Sequence, residues 1–381
     1  RKCFFMNNLV RKNVRSYIHT HMQEVIDLIC TISSITSPTG HEETKAAWIL
    51  SQLHKMGASE AYIDDAGNVL YPYQIPPTGK FPLYNAHIDT VFSQLDTIVP
   101  HIDGDCLYAP SCGDNSADVA ALLCIARMLL TLHIPLPAGV MLAFNVGEEG
   151  LGNLKGIRHI MNTWHDRISE VVAVDGTADA FVNRAVGSHR YAVHVQAQGG
   201  HSWADFGNTN ALAVAAEIIH DLYQLQLPAV PKTTYNIGTL TGGTTVNSIA
   251  AQADLTIDLR SESMSSLLKL DANIAAIIQR HTTPTVQITS TLIGDRPCSD
   301  AVLKAPLYDR IYTIRRAQGL ATTWRAGSTD ANIPLSMGIP ATAFSIYRGQ
   351  GAHTLNERLF LSSLEPGLLQ LTALLLSEYY K

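Results

Sequence analysis

Histidine and carboxylate side chains recur in this sequence near the ends of apolar runs and in the loops between them. Seven of them are candidates for chemistry: His87, Asp89, Asp114, Glu148, Glu149, Asp175 and His353. Imidazole nitrogens and carboxylate oxygens are the protein ligands that zinc and similar divalent cations bind. Burying so many like charges together without a cation would be prohibitive. The residue types therefore predict a dinuclear metal centre, provided that the fold brings them together.

Each signal taken alone has an ordinary structural explanation. The His87–Asp89 pair could be a hydrogen-bonded turn, and the Glu-Glu-Gly segment could be a solvated one. Asp114 could cap the helix that follows it, Asp175 could form a turn, and His353 could lie on a surface loop. Only the conjunction of these groups favours a metal site.

The segments that carry these residues have the pattern of parallel β-strands. Segments 82–87, 139–146 and 170–175 are nearly continuous apolar runs, as expected for strands that are covered on both faces. Helical segments 116–131 and 155–164 alternate with them, which is typical of a doubly wound sheet. Because ligands bind outside the carboxyl ends of such strands, the candidate residues should meet at one edge.

The pattern changes after about residue 187. Several segments now alternate apolar and polar residues with a period of two, which indicates an antiparallel sheet with one solvated face. The segments are strands 190–199, 235–240, 251–260 and 284–290 and helices 208–226 and 264–281. Their β-α-β-β-α-β order predicts a ferredoxin-like domain.

The α/β pattern resumes after about residue 297. It comprises helix 305–318, strands 322–325 and 341–345, and helix 361–380. We therefore predict an α/β catalytic domain with a mostly parallel, doubly wound sheet, formed by residues 1–186 and 297–381. An inserted α+β lid and dimerisation domain spans residues 187–296.

The composition argues against several classes of protein. The 381 residues are 46% apolar and 16% charged, which is ordinary for a packed enzyme. A net charge of −6 without a basic block argues against a nucleic-acid partner, and no apolar stretch reaches the ~18 residues that span a membrane. The chain begins without Met, Met6 is a candidate natural start, and no secretory signal is recognisable. Six dispersed cysteines fit a reducing cytoplasm.

The motifs resemble those of the cocatalytic zinc peptidase and aminoacylase superfamily, which includes peptidase T, carboxypeptidase G and succinyl-diaminopimelate desuccinylase. The matching segments occur in the order of the family over nearly the whole chain: HIDT, GDNSADVAAL, GEEG, VDG, GGHSW, GGTTVNSIAAQADLTIDLR, GSTDA and GAHTLNE. The resemblance implies that Asp114 bridges two metal ions. His87 and Asp175 would complete the ligands of one ion, and Glu149 and His353 those of the other.

The same resemblance assigns two further roles at the metal centre. Glu148 would be the general base that takes a proton from the attacking water and passes it to the leaving amine. Asp89 would hold the imidazole of His87, so that its other ring nitrogen faces the metal. Two ions about 3.5–4 Å apart would polarise the scissile carbonyl and activate that water.

The predicted lid carries three more candidates. His201 resembles a histidine that stabilises the developing oxyanion, commonly across a dimer interface. Asn247 and Arg260 resemble groups that hold a substrate carboxylate, which a guanidinium binds with two parallel hydrogen bonds. The structural alternatives are an exposed His201 and an Arg260 that pairs with Asp254 or Asp258.

Two positions differ within the family and bear on the reaction. Ser116 stands where many members have Lys, which leaves the ligands intact. At Asp175, aminopeptidases and dipeptidases tend to have Asp, whereas carboxypeptidases and deacylases tend to have Glu. We therefore expect a di- or tripeptide exopeptidase of the aminopeptidase type. It would use two divalent metal ions, which we expect to be zinc, with manganese or cobalt as alternatives. It would form a homodimer through the lid. The alternatives are a deacylase of N-acyl amino acids, a carboxypeptidase, and a non-catalytic binding protein.

Overall fold

The computed structural model describes residues 2–93, 97–299 and 302–377, with side chains from residue 11 onward. The chain divides into two compact units. The first unit comprises Arg1–Asn183 and Val302–Lys381, and the second comprises Arg184–Ala301. The second unit is thus an insertion in the first.

Both units contain helices and strands. The helices are α1 (Lys2–Thr20), α2 (Met22–Ser34), α3 (Glu43–Lys55), α4 (Asp118–Thr131), α5 (Lys155–Trp164), α6 (Ala211–Leu222), α7 (Met264–His281), α8 (Pro306–Ala317), α9 (Asn332–Ser336) and α10 (Leu364–Ser377). The strands are β1 (Tyr62–Ile63), β2 (Val69–Tyr73), β3 (Phe81–His87), β4 (His101–Asp103), β5 (Cys106–Tyr108), β6 (Val140–Asn145), β7 (Ile168–Val174), β8 (Ala180–Ala185), β9 (Gly187–Gln196), β10 (Gly200–His201), β11 (Thr233–Gly242), β12 (Ser248–Ile249), β13 (Gln252–Ser261), β14 (Gln287–Arg296), β15 (Thr323–Gly327), β16 (Ala341–Phe344), β17 (Gly349–Gln350) and β18 (Arg358–Phe360).

The main sheet of the first unit has the strand order β1-β2-β6-β3-β7-β16-β8-β15. Its central strands β6, β3, β7 and β16 run parallel, while β2 joins β6 and β8 joins β16 in antiparallel pairs. Every residue of β3 and β6 is buried, as expected for strands that are covered on both faces. The predicted mostly parallel α/β sheet is confirmed.

Helix α4 lies at the centre of the first unit, and all of its residues from Asp118 to Ala126 are buried. A helix that is apolar on all sides must be enclosed by the core. The predicted helix began at residue 116, whereas α4 begins at Asp118. The preceding turn, Cys112–Ala117, contains Asp114 in a non-helical conformation (φ −96°, ψ 89°).

The second unit is a four-stranded antiparallel sheet with the order β11-β13-β9-β14. Helices α6 and α7 contribute buried apolar residues to the same core as β9 and β13. On β13 the residues Ala253, Leu255, Ile257 and Leu259 are buried and alternate with more exposed ones. The ferredoxin-like insertion predicted from the period of two is confirmed.

Several elements were not predicted. They include helix α1, strand β8 and the small sheet β17-β18-β5-β4. Strands of two or three residues such as β4, which is exposed throughout, are too short to show a period. Within the described part of the chain, no helix has the length and apolar character needed to cross a bilayer.

Candidate metal centre

The carboxyl ends of β3, β6 and β7 bring ligands from distant segments together. Asp114 lies between two imidazoles: its Oδ1 is 3.1 Å from Nε2 of His87, and its Oδ2 is 3.0 Å from Nε2 of His353. The two oxygens of this carboxylate therefore face two different histidines. The resemblance gives Asp114 the role of a carboxylate that bridges two cations, and each of its oxygens has a histidine beside it.

The other two predicted ligands lie on opposite sides of Asp114. Asp175 Oδ1 is 3.9 Å from Nε2 of His87, and Glu149 Oε1 is 2.9 Å from Nε2 of His353. One ligand atom from each of His87, Asp114 and Glu149 lies within 4.8 Å of the others. Asp175 therefore lies beside His87 and Glu149 lies beside His353, while His87, Asp114 and Glu149 also form one cluster.

The ionisable groups at this centre shift the pKa values of one another. Burial lowers the pKa of His87, but hydrogen bonds to Asp114 and Asp89 outweigh it and hold the pKa well above its usual range. Hydrogen bonds to Asp114 and Glu149 raise the pKa of His353 to about 10. Burial, with the negative charges of Asp114 and Glu149 nearby, raises the pKa of Asp175 to about 7. A positive charge between these carboxylates would therefore offset the repulsion between their negative charges.

Asp89 contacts both the imidazole of His87 and the loop that carries Glu148 and Glu149. Its carboxylate accepts hydrogen bonds from the amides of Glu148 (3.0 Å) and Glu149 (2.9 Å) and from the hydroxyl of Thr39 (2.9 Å). Nδ1 of His87 lies 3.1 Å from the backbone carbonyl of Asp89 and 3.5 Å from its carboxylate. Asp89 therefore faces the inner ring nitrogen, but its backbone oxygen is the nearer partner.

Glu357 lies in the segment GAHTLNE, and the sequence alone indicates no role for it. Its carboxylate accepts hydrogen bonds from the amides of Ser111 (2.8 Å), Gly113 (3.0 Å) and Asp114 (2.8 Å). These bonds hold the non-helical turn that presents Asp114. Burial, with the nearby charge of Asp114, raises the pKa of Glu357 to about 7 despite these bonds.

Asp330, in the segment GSTDA, is a second buried carboxylate close to the ligand-bearing strands. Its Oδ2 accepts hydrogen bonds from the side-chain amides of Asn85 (2.9 Å) and Asn145 (2.7 Å). Asn85 and Asn145 lie near the carboxyl ends of the neighbouring strands β3 and β6. The interaction ties together the two strands that end in His87 and the Glu148–Glu149 loop.

In the second unit, the ribbon β10–β12 brings His201 close to Asn247. His201 pairs with Ser248, and the amide of Ser202 donates to the carbonyl of Asn247 (3.0 Å). Nδ1 of His201 accepts hydrogen bonds from the amides of Trp203 and Ala204, both at 3.2 Å. Nδ1 is therefore an acceptor, which leaves the proton on Nε2 of the exposed ring.

Arg260 lies elsewhere in the second unit. Its Nε donates to Oδ2 of Asp258 (2.7 Å), whose Oδ1 accepts from Arg190 (3.1 Å). The ribbon ends at Ile249, just before β13 starts at Gln252, whereas Arg260 is eight residues further, about 26 Å along an extended strand. In the structure, Arg260 therefore pairs with Asp258, as the structural alternative predicted, and does not lie beside Asn247.

Two family models match parts of the chain. Residues 73–227 match the model of Peptidase family M28, and residues 183–286 match that of a peptidase dimerisation domain. No curated protein sequence gives a significant match.

Solved structures share the fold along almost the entire chain. A tripeptidase from Staphylococcus aureus aligns with a TM-score of 0.76 at 21% identity, covering 93% of this chain and 97% of that one. The di-peptidase Dug1p from Saccharomyces cerevisiae aligns at 0.77 and 15% identity, covering 96% and 98%. A dinuclear metal binding peptidase of the M20 family from Bacillus subtilis aligns at 0.64 and 14%, covering 94% and 99%. Through its matches to a peptidase family and to a peptidase dimerisation domain, and through its fold, the chain is similar to cocatalytic metallopeptidases and related metal-dependent amidohydrolases.

Proposed function

We propose that this protein is an exopeptidase of the aminopeptidase type that hydrolyses di- or tripeptides with two divalent metal ions. The observation that carries the proposal is the position of Asp114, whose two oxygens face His87 and His353 at 3.1 and 3.0 Å. Asp175 adjoins the first imidazole and Glu149 the second. Two ligand sets that share one carboxylate suit a dinuclear centre.

The chemistry of the donors supports zinc as the metal. The set consists of two imidazole nitrogens and three carboxylates, and it offers no thiolate. Zinc accepts such nitrogen and oxygen ligands, and manganese or cobalt can use the same set. A bound cation would supply positive charge between these carboxylates, and the imidazoles would bind it in their neutral form.

The proposed chemistry combines the metal ions with two side chains. Two bound cations would polarise the scissile carbonyl and lower the pKa of a water molecule. Glu148 would accept the proton of that water and deliver it to the leaving amine. The Nε2–H of His201 would donate a hydrogen bond to the oxyanion, while Asn247 would bind a substrate carboxylate.

The substrate class rests on Asp175 and on the proteins that share the fold. Aspartate at this position is the residue that aminopeptidases and dipeptidases tend to have. Two of the most similar structures are a tripeptidase and a di-peptidase, which supports small peptides as substrates. The matched dimerisation domain supports a homodimer formed through the second unit. Dispersed thiols without paired spacing support a cytoplasmic location.

The proposal is tested by an activity screen with zinc, manganese and cobalt. The substrates would be di- and tripeptides with free amino ends, the same peptides N-acetylated, and N-acyl amino acids. Faster hydrolysis of the free peptides supports the exopeptidase, whereas a preference for N-acyl amino acids would identify a deacylase. His87→Ala should lose metal and activity, while His19→Ala, an exposed histidine in the same unit, should retain both. Undiminished metal and activity in His87→Ala would overturn the proposal.

A further inference from the structure

The loop that follows β6 is held by side chains at four consecutive amides. Each of these backbone N–H groups donates to a side-chain oxygen from another part of the first unit. The pairs are Val146 to Asn68 Oδ1 (3.0 Å), Gly147 to Glu42 Oε1 (3.2 Å), Glu148 to Asp89 Oδ1 (3.0 Å) and Glu149 to Asp89 Oδ2 (2.9 Å). The backbone that carries Glu148 is therefore fixed from both sides.

Glu42 supplies the oxygen that binds the amide of Gly147. It lies directly before helix α3, and its side chain is buried. The same Oε1 that accepts from Gly147 also accepts from the amide of Gly40 at 2.9 Å. Placing a carboxylate in a protein interior is costly, so its presence under the loop indicates a function beyond filling space.

The amide that Glu42 binds is at the bend of the loop. Gly147 has a positive φ of 68°, a conformation that side chains rarely adopt. A Cβ at this position would lie 3.1 Å from Cβ of Lys155 and 3.2 Å from the carbonyl of Gly152. The direction in which the chain leaves this bend determines where the side chain of Glu148 points.

The other two side chains that bind this loop, those of Asn68 and Asp89, also make contacts elsewhere. Asn68 also donates to Asp64 (2.8 Å) and to the carbonyl of Gly156 (3.1 Å), so it anchors the end of the strand. Asp89 also faces His87. Glu42 accepts from the amide of Gly147 in this loop and from the amide of Gly40 in its own segment.

We propose that Glu42 is a positioning residue for Glu148: its buried carboxylate fixes the bend at Gly147 and thereby orients the general base. The role of Glu42 rests on the proposed function, because it acts through Glu148. Since small displacements of a catalytic group lower turnover steeply, the effect of Glu42 should be on kcat.

The test compares Glu42→Ala, Glu42→Gln and the control Glu43→Ala, which changes the exposed neighbouring residue. We expect Glu42→Ala to lower kcat by about 10- to 100-fold, with KM and metal content unchanged. Glu42→Gln keeps an acceptor oxygen and should stay within about threefold of the wild type, as should Glu43→Ala. If Glu42→Ala does not fold, Glu42→Asp, which withdraws the oxygen by one methylene, should give an intermediate loss of kcat.

A double-mutant cycle separates positioning from a general loss of structure. In the Glu148→Gln background, Glu42→Ala should change the residual kcat by less than about twofold, because the base that it orients is absent. An equal loss in both backgrounds, or an undiminished kcat in Glu42→Ala, would overturn the role of Glu42. Full turnover in Glu148→Gln would instead overturn the proposed function.

Discussion

At the residue scale, adjacent glutamates at the end of β6 are expected to have different roles. Glu149 lies 2.9 Å from His353 and within the ligand cluster, whereas Glu148 matches the proton-transferring residue of the superfamily. Both are buried. Identical side chains, one residue apart, thus provide an internal comparison of metal binding with proton transfer.

Glu148→Gln should retain metal while its kcat falls by about 10²- to 10⁴-fold, the usual contribution of a general base. Glu149→Gln should lose metal, because an amide replaces a charged ligand. Elemental analysis of both purified variants, together with steady-state kinetics, measures the difference. Near-normal turnover in Glu148→Gln would show that the two roles have been assigned wrongly.

At the scale of elements, a buried histidine links three elements of the second unit. Nδ1 of His189 on β9 lies 2.6 Å from Asp271 on α7, and its Nε2 lies 3.5 Å from Asp295 on β14. Tyr191, also on β9, donates to the other oxygen of Asp271 (3.0 Å). Hydrogen bonds to Asp295 and Asp271 raise the pKa of His189.

This raised pKa makes the stability of the second unit depend on pH. Because the folded state binds the proton more tightly, the stabilisation is complete below the unfolded pKa of about 6.5 and is lost as pH rises through the higher folded value. His189→Gln should therefore lower Tm more at pH 5.5 than at pH 9. Thermal unfolding across this pH range measures the difference in Tm between the wild type and the variant, and His194→Gln on the same strand is the control. A difference in Tm that grows as pH rises would contradict the predicted pH dependence.

Helix α10 and the loop after β16 are packed without space between them. A Cβ at Gly367 would lie 1.8 Å from the carbonyl oxygen of Ile346. The backbone N–H of Ile346 in turn donates a hydrogen bond to Asp118 at 3.0 Å. Gly367→Ala should lower the free energy of unfolding by about 1–3 kcal/mol, since an overpacked core must shift its backbone. Denaturant titration measures this loss, and Pro366→Ala at the exposed neighbouring position should be nearly neutral. Equal stability of the two variants would contradict the close packing.

At the scale of the whole molecule, the proposed dimer allows one subunit to complete the catalytic site of the other. Mixing inactive His201→Ala with inactive Glu148→Gln, under conditions that exchange subunits, should restore part of the activity if His201 acts in trans. Sites in the mixed dimer that receive both intact groups would account for the recovery. Activity assays on the mixture and on each variant alone measure it. Proven heterodimers without recovery would exclude a shared site.

Much of the fold could be predicted because burial leaves a period in the sequence. The continuous apolar run of β3 and the alternation of β13 each reflect contacts that repeat along one strand. The ligand types could also be predicted, since a carboxylate or imidazole is recognisable wherever it lies. The small sheet of β4, β5, β17 and β18 could not, because strands this short have no period.

The amino-acid sequence by itself determined which segments form the parallel sheet and the β-α-β-β-α-β order of the insertion, and it supplied the side-chain types from which the metal centre is proposed. Only the tertiary structure decided that Asp114 lies between His87 and His353, that Glu357 holds its turn, and that Arg260 pairs with Asp258. The reason is physical. Periodicity records how each residue is buried locally, whereas a hydrogen bond between distant segments depends on how the elements pack and therefore leaves no pattern along the chain.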